Sequence, residues 1–163
     1  MIDNFVVDIK TQNRRPRGYT LFLLLLVFIA SHVDRQIVAI LQEPIRIAFD
    51  LTDTQLGILT GFAFALFYAT LGMPMAMWAD RRNRRNLIAF SISLWSAMTV
   101  ACAAAGQYWQ LLAARIGVAV GEAGSNPPSH SIIADLYEPA ERATAMAIFG
   151  LGVNFGIMFG FLI

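Results

Sequence analysis

Asp34, Arg35, Arg115 and Glu122 sit inside stretches of this 163-residue chain that are otherwise apolar enough to cross a membrane. An ion at the centre of a span costs about 2.5–3.5 kcal/mol on insertion scales, so each of the four asks for a functional explanation. Their types point to proton and anion chemistry. Aspartate and glutamate bind a proton reversibly, whereas arginine does not usefully give one up but stabilises a carboxylate or holds an anionic group. Two acids and two bases also offset one another, a balance that fits a translocation path better than random polarity.

Their spacing is selective. At 100° per residue Arg115, Glu122, Asn126 and Ser129 fall within a sector about 60° wide, with Gly117, Gly121 and Gly124 on the opposite side. Ser129 is the weakest member, because Pro127 and Pro128 disturb the phase beyond Asn126. Ser31, Asp34, Arg35 and Gln42 share an arc of about 100° on an earlier helix. If the two helices run in opposite directions, a rise of about 1.5 Å per residue puts Asp34 and Arg35 between Arg115 and Glu122 in depth. The two polar faces are therefore expected to meet across one buried electrostatic cluster.

The elements that must position these residues are membrane helices. The chain is 57% hydrophobic and 14% charged with a mean hydropathy of +0.58, far from the quarter or so of charged residues usual in soluble proteins. Five apolar segments stand out, near Tyr19 to Gln42, Gln55 to Ala79, Leu87 to Ala105, Trp109 to Tyr137, and Ala143 to the end. Most exceed the ~20 helical residues that span a hydrocarbon core. The last is still apolar at Ile163, which reads as truncation inside a fifth span. The net charge of +1 matters less than where the bases lie. Lys10, Arg14, Arg15 and Arg17 precede the first segment, Arg81, Arg82, Arg84 and Arg85 follow the second, and Arg142 follows the fourth; the opposite connections hold Arg46 among acids, or no charge at Gly106-Gln107. By the positive-inside rule residues 1–18 form a cytoplasmic N-terminal tail and the odd-numbered spans of 19–163 run outward. A cleaved signal peptide is the rival reading of the start, but the apolar run continues past Ala30-Ser31 and four more spans follow.

Pro44 is expected to close the first helix, and Thr52-Asp53-Thr54-Gln55 to cap the second with a capping box. Pro74 and Pro127-Pro128 should bend or loosen their helices, read as static kinks rather than moving hinges. Gly57 and Gly61, Gly117 and Gly121, and Gly152, Gly156 and Gly160 recur at four-residue spacing, the pattern of helix-packing ridges; the last set would also permit sliding. Lone Cys102 implies no disulfide framework. Histidine is the residue type whose ordinary pKa lies near neutral pH, but His32 and His130 read as packing or hydrogen-bonding groups. No Ser-His-Asp arrangement, metal-ligand cluster or phosphate loop points to an enzyme.

Ala76-Met-Trp-Ala-Asp80-Arg81-Arg82-Asn83-Arg84-Arg85 resembles the loop motif Gly-x-x-x-Asp-Arg-x-Gly-Arg-Arg of the major facilitator superfamily, with Ala76 and Asn83 in place of its glycines. Asn83, Val33-Asp34-Arg35, and Arg115-Ile-Gly117-Val-Ala-Val-Gly121-Glu122-Ala123 followed by Ile-Ile-Ala-Asp135-Leu are similar to the Spinster-like branch. The resemblance implies an all-α carrier of twelve helices in two six-helix halves working by alternating access, of which this chain holds the first five. It also implies a lipid-like or organic anion solute, since family members include lysolipid and sphingosine phosphate transporters, and protons as the coupling ion, with no other cofactor. Asp34 and Glu122 are then the expected proton sites, Arg35, Arg115 and Asn126 the charge-regulating or substrate-binding groups, and Asp80, Arg81, Arg84, Arg85 and Asp135 a cytoplasmic gate. Expected partners are membrane lipids, the solute and the remaining helices, with no nucleic acid, in a plasma membrane or bacterial inner membrane. The competing reading is a non-transporting membrane scaffold held by a permanent buried salt-bridge cluster.

Overall fold

The computed structural model describes residues 17–81 and 83–162, with all their side chains except those of Ala76, Ala79, Asp80 and Arg81. No strand occurs among the described residues. Four helical stretches are long and apolar enough to cross a membrane by length and composition: Arg17–Ile40, Asp53–Met75, Arg84–Ala103 and Pro139–Leu162. A further span, fourth in chain order, comes in two pieces, Tyr108–Ala123 and Asn126–Leu136.

The first helix ends at Ile40, two residues short of the expected Gln42, and Pro44 does not stop the chain from being helical. Proline has no N–H to return to the Ile40 carbonyl, so the helix breaks at Leu41 and restarts as Gln42–Ala48 with Pro44 in its first turn, where a donor is not needed. This short helix closes with a left-handed Asp50 (φ 49°), whose neighbour Leu51 donates to the Arg46 carbonyl at 2.9 Å while Asp50 donates to Ile47 at 3.4 Å. That is the Schellman pattern, and Leu51 and Ile45 share one apolar cluster, as the motif favours. Thr52 then caps the second span, with Gln55 N donating to its hydroxyl at 3.3 Å and Thr52 N donating to Gln55 Oε1 at 3.0 Å. The capping box read from the sequence is present.

The second span contains an unexpected π-helical turn at Ile58–Phe62, before helix resumes over Ala63–Arg81 and runs through Pro74. In the fourth span the prolines do more than bend the helix. Pro127 and Pro128 cannot donate to the carbonyls of Ala123 and Gly124, so the helix stops at Ala123 and restarts at Asn126 with both prolines in its first turn.

Small residues set the packing. A β-carbon on Gly121 would lie 2.7 Å from the Trp95 backbone nitrogen, one on Gly117 2.7 Å from Met98 Sδ, and one on Gly124 against Ser91 Oγ, so this stripe lies tight along the third span. Gly152, Gly156 and Gly160 likewise receive Phe28, Ile29, His32 and Gln36 of the first span. Gly57 and Gly61 differ from expectation: nothing lies within 4 Å of either added β-carbon, because they occupy the exposed face of the second span. Spacing alone marks a possible ridge, not the face that finds a neighbour.

Two apolar clusters flank the charged residues. Leu21, Leu24, Ile88, Ile133, Ala145 and Phe149 form one, and Leu51, Leu59 and Leu111 the other. On the fourth span Arg115 and Glu122 fall between Leu111 and Ile133.

Candidate functional site

The first and fourth spans bring the four ions together as two crossed pairs. Arg35 donates from Nε to Glu122 Oε2 at 2.7 Å, and its Nη2 lies 2.6 Å from the same oxygen. Arg115 Nη1 donates to Asp34 Oδ2 at 3.2 Å. Adjacent residues on one helix thus reach residues seven apart on the other, a separation of about 10 Å along the axis. The Glu122 side chain is 1% exposed and that of Arg35 32%, so Arg35 is the member open to a visitor.

Neutral residues from the other spans complete the site, and these the sequence reading missed. Thr99 of the third span donates its hydroxyl to Asp34 Oδ1 at 3.1 Å, giving each Asp34 oxygen a donor. From the second span, the Phe64 ring centroid lies 4.9 Å from Arg35 Cζ and 5.2 Å from Arg115 Cζ, and the Tyr68 ring lies 4.7 Å from Arg35 Cζ. Asn126 Nδ2 donates to Tyr68 Oη at 3.3 Å. Asn126 therefore joins the second span to the fourth rather than touching an ion. Ser129, the doubtful member of the polar sector, turns its buried hydroxyl back to the Ser125 carbonyl at 2.7 Å, because the break restarts the helix there. The one signal that pointed to Phe64 and Tyr68 is their i, i+4 spacing, common in any lipid-facing helix.

Several buried polar atoms have no partner among the described residues: Glu122 Oε1, Arg115 Nε and Asn126 Oδ1. An unpaired buried polar atom costs about 1–3 kcal/mol, more for a charged group, so the site is polar beyond its internal needs. A proton bound at either carboxyl removes the charge that holds its arginine. The protonation state of the carboxyls is thereby tied to the contact between the first and fourth spans.

A second charged group gathers at one end of the bundle. Arg84 pairs with Asp135, Arg17 lies 3.2 Å from Glu141, and Arg142 Nη2 donates to the Ala134 carbonyl at 2.7 Å, where the fourth span ends. Of the expected gate residues, Arg84 and Asp135 are therefore brought together; Arg85 borders a groove lined by the first, third and fourth spans. Asp80 and Arg81 end the second span, and their side chains lie outside the described residues, as does all of Arg82. Asn83, which stands where the motif has glycine, caps the third span by accepting from Arg85 N at 3.1 Å. Asparagine and glycine are both tolerated N-caps, which gives the replacement a physical reason.

The profile of the Major Facilitator Superfamily matches residues 23–163. The crystal structure of a bacterial homologue of the human lysosomal transporter Spinster, inward-facing and unoccupied, superposes with a TM-score of 0.86 at 45% identity, covering 91% of this chain and 31% of that one. An MFS-type efflux pump of Mycolicibacterium smegmatis is 36% identical over 131 residues, covering 80% of this chain and 30% of its own length. The probable L-galactonate transporter of Escherichia coli is 25% identical over 152 residues (93% and 33%), and human protein spinster homolog 1 is 28% identical over 142 (86% and 27%). The chain thus spans about a third or less of the length of the relatives it matches.

Proposed function

The chain belongs to the major facilitator superfamily and is Spinster-like, and from that premise we propose that it supplies the first five helices of a proton-coupled carrier for a lipid-like or organic anion solute. The observation that supports this best is the pair of crossed ion pairs, Asp34 with Arg115 and Arg35 with Glu122, that join the first and fourth spans. In this reading Asp34 and Glu122 exchange the coupling proton. Burial favours the neutral carboxyl and the paired guanidinium favours the carboxylate, so separating a pair as the carrier changes state alters its hold on the proton. Arg35, the most exposed of the four side chains, is the anchor for an anionic group, with Arg115 tuning Asp34. The L-galactonate of the Escherichia coli relative's name carries one such group.

At the other site, Asp80, Arg81, Arg84, Arg85 and Asp135 act as a cytoplasmic gate, made in one state and released in another. The bases Arg17, Arg84 and Arg142 at that end support reading it and the N-terminus as cytoplasmic.

The test is reconstitution of the complete carrier in liposomes under a pH gradient, screening lysolipids, sphingoid phosphates and small organic anions. Wild-type uptake is expected to follow the gradient, and Asp34→Asn and Glu122→Gln are each expected to lose that dependence. Undiminished proton-driven uptake in both variants rules the coupling role out. Binding of solute with no movement by the complete protein would favour the scaffold reading.

A further inference from the structure

Both ion pairs join the first span to the fourth, yet the aromatic surface they share belongs to the second. Phe64 meets both cations, with Arg35 Cζ 4.9 Å and Arg115 Cζ 5.2 Å from its centroid. Tyr68, one turn on, holds Arg35 on its own ring at 4.7 Å; the two rings lie 5.9 Å apart and within 13° of parallel. A ring face attracts a desolvated cation without neutralising it. The contact matters most for Arg115, whose side chain is 5% exposed and which, among the described residues, has one carboxylate contact, the 3.2 Å bond to Asp34, and no partner for its Nε.

The second span aims these rings by an irregularity. The π-helical turn Ile58–Phe62 ends two residues before Phe64. Such a turn holds one residue more than an α turn, so everything beyond it is rotated by about 100° relative to an uninterrupted helix. The rotation brings Phe64 and Tyr68 round to the fourth span while leaving Gly57 and Gly61, before and within the turn, on an open face.

We propose that Phe64 is a positioning residue of the charge cluster: its ring holds the guanidiniums of Arg35 and Arg115 toward Glu122 and Asp34, so an uncharged side chain of the second span governs how firmly both carboxyls are paired. The proposal rests on the reading of Asp34 and Glu122 as proton sites. The groups facing those carboxyls are Arg35 on the first span, Thr99 and Cys102 on the third and Arg115 on the fourth, and the two carboxyls lie within electrostatic reach of each other; Tyr68 of the second span meets Arg35. His32 lies within electrostatic reach of Arg35 from the same helix as Asp34. Among the described residues Phe64 alone meets both arginines with an uncharged ring face.

The test uses the complete carrier in lipid with no solute present. Infrared spectra across pH follow the C=O band of protonated carboxyl, assigned to Asp34 and Glu122 by its loss in Asp34→Asn and Glu122→Gln. Phe64 is replaced by phenylalanines of increasing ring fluorination, which weaken the ring face at nearly constant shape, and by Leu and Trp. The expected result is a band midpoint that moves steadily with fluorine count by about half to one pH unit, a threefold to tenfold change in proton affinity. Phe64→Leu should fall at the far end, Phe64→Trp close to the parent, and melting temperature should stay flat across the fluorinated series. A midpoint indifferent to fluorination overturns the role of Phe64 and leaves the coupling reading intact. The absence of any titrating band assignable to Asp34 or Glu122 overturns both.

Discussion

Gly121 precedes Glu122, so crowding there should reach the charged site. A β-carbon at this position would lie 2.7 Å from the backbone nitrogen of Trp95, 2.8 Å from its Cβ and 3.0 Å from its Cα. Heavy-atom contacts relax at about 3.5 Å, so the third and fourth spans must part by ~0.8 Å, and backbone cannot swing aside as a side chain can. Overpacking of this kind costs about 1–3 kcal/mol. Alanine also gains about 0.8–1.0 kcal/mol over glycine in helix propensity. Gly61→Ala takes the same gain with nothing within 4 Å, so it isolates the steric term. Gly117→Ala should fall between the two, since its obstruction is the flexible end of Met98. Thermal unfolding of the complete carrier in one detergent is expected to rank Gly61→Ala above Gly117→Ala and Gly117→Ala above Gly121→Ala, with about 1–3 kcal/mol between the extremes. If Gly61→Ala and Gly121→Ala unfold together, the close approach of the third and fourth spans is wrong.

Asn83→Ala should cost about 0.5–2 kcal/mol in the first turn of the third span and Asn83→Gly only a few tenths, read as faster hydrogen exchange at the amides of Arg84 to Leu87. The Arg84 and Asp135 side chains are 30% and 66% exposed, so breaking their pair by Asp135→Asn should cost only about 0.2–1 kcal/mol of stability. The same change should shift spin-label distances between the helix ends bordering the gate, and no shift there would remove Asp135 from it. Arg46 beside Glu43 holds that exposed carboxyl below its usual range, so the support it gives the Gln42–Ala48 helix is present above the ordinary carboxylate range and lost as pH falls through the lowered value. Acid should therefore speed exchange in that helix, an effect that Glu43→Gln abolishes.

The spans, their ends and the buried ions were legible because each rests on a local energy: apolar length, capping chemistry, or the cost of a charge in hydrocarbon. The meeting of the first and fourth spans followed from helical phase and axial depth, and the contacts of Asp34, Arg35, Arg115 and Glu122 agree with it. Which acid takes which base did not follow, since axial depth leaves both pairings open and only side-chain direction selects Arg35 with Glu122. Phe64, Tyr68 and Thr99 stayed hidden because uncharged residues in a span look alike whether they face lipid or a cation. The π turn has no sequence signature of its own, and it decides which face of the second span looks inward. Pro44 and Pro127-Pro128 were visible as interruptions, but a missing donor breaks the ladder behind the proline and leaves the chain ahead of it free to coil again.

The break at Gly124-Ser125 divides the fourth span into a part that carries Glu122 and an arm that carries Asp135. Its fulcrum lies two residues beyond Glu122, and Asp135 rides about 14 Å away along the Asn126–Leu136 rod. A tilt of about 10° at the fulcrum carries Asp135 through about 2.4 Å on that arm length, enough to part it from Arg84. On that geometry a tilt at Gly124-Ser125 would show at Asp135 multiplied by the length of the arm, while Glu122 beside the pivot hardly moved.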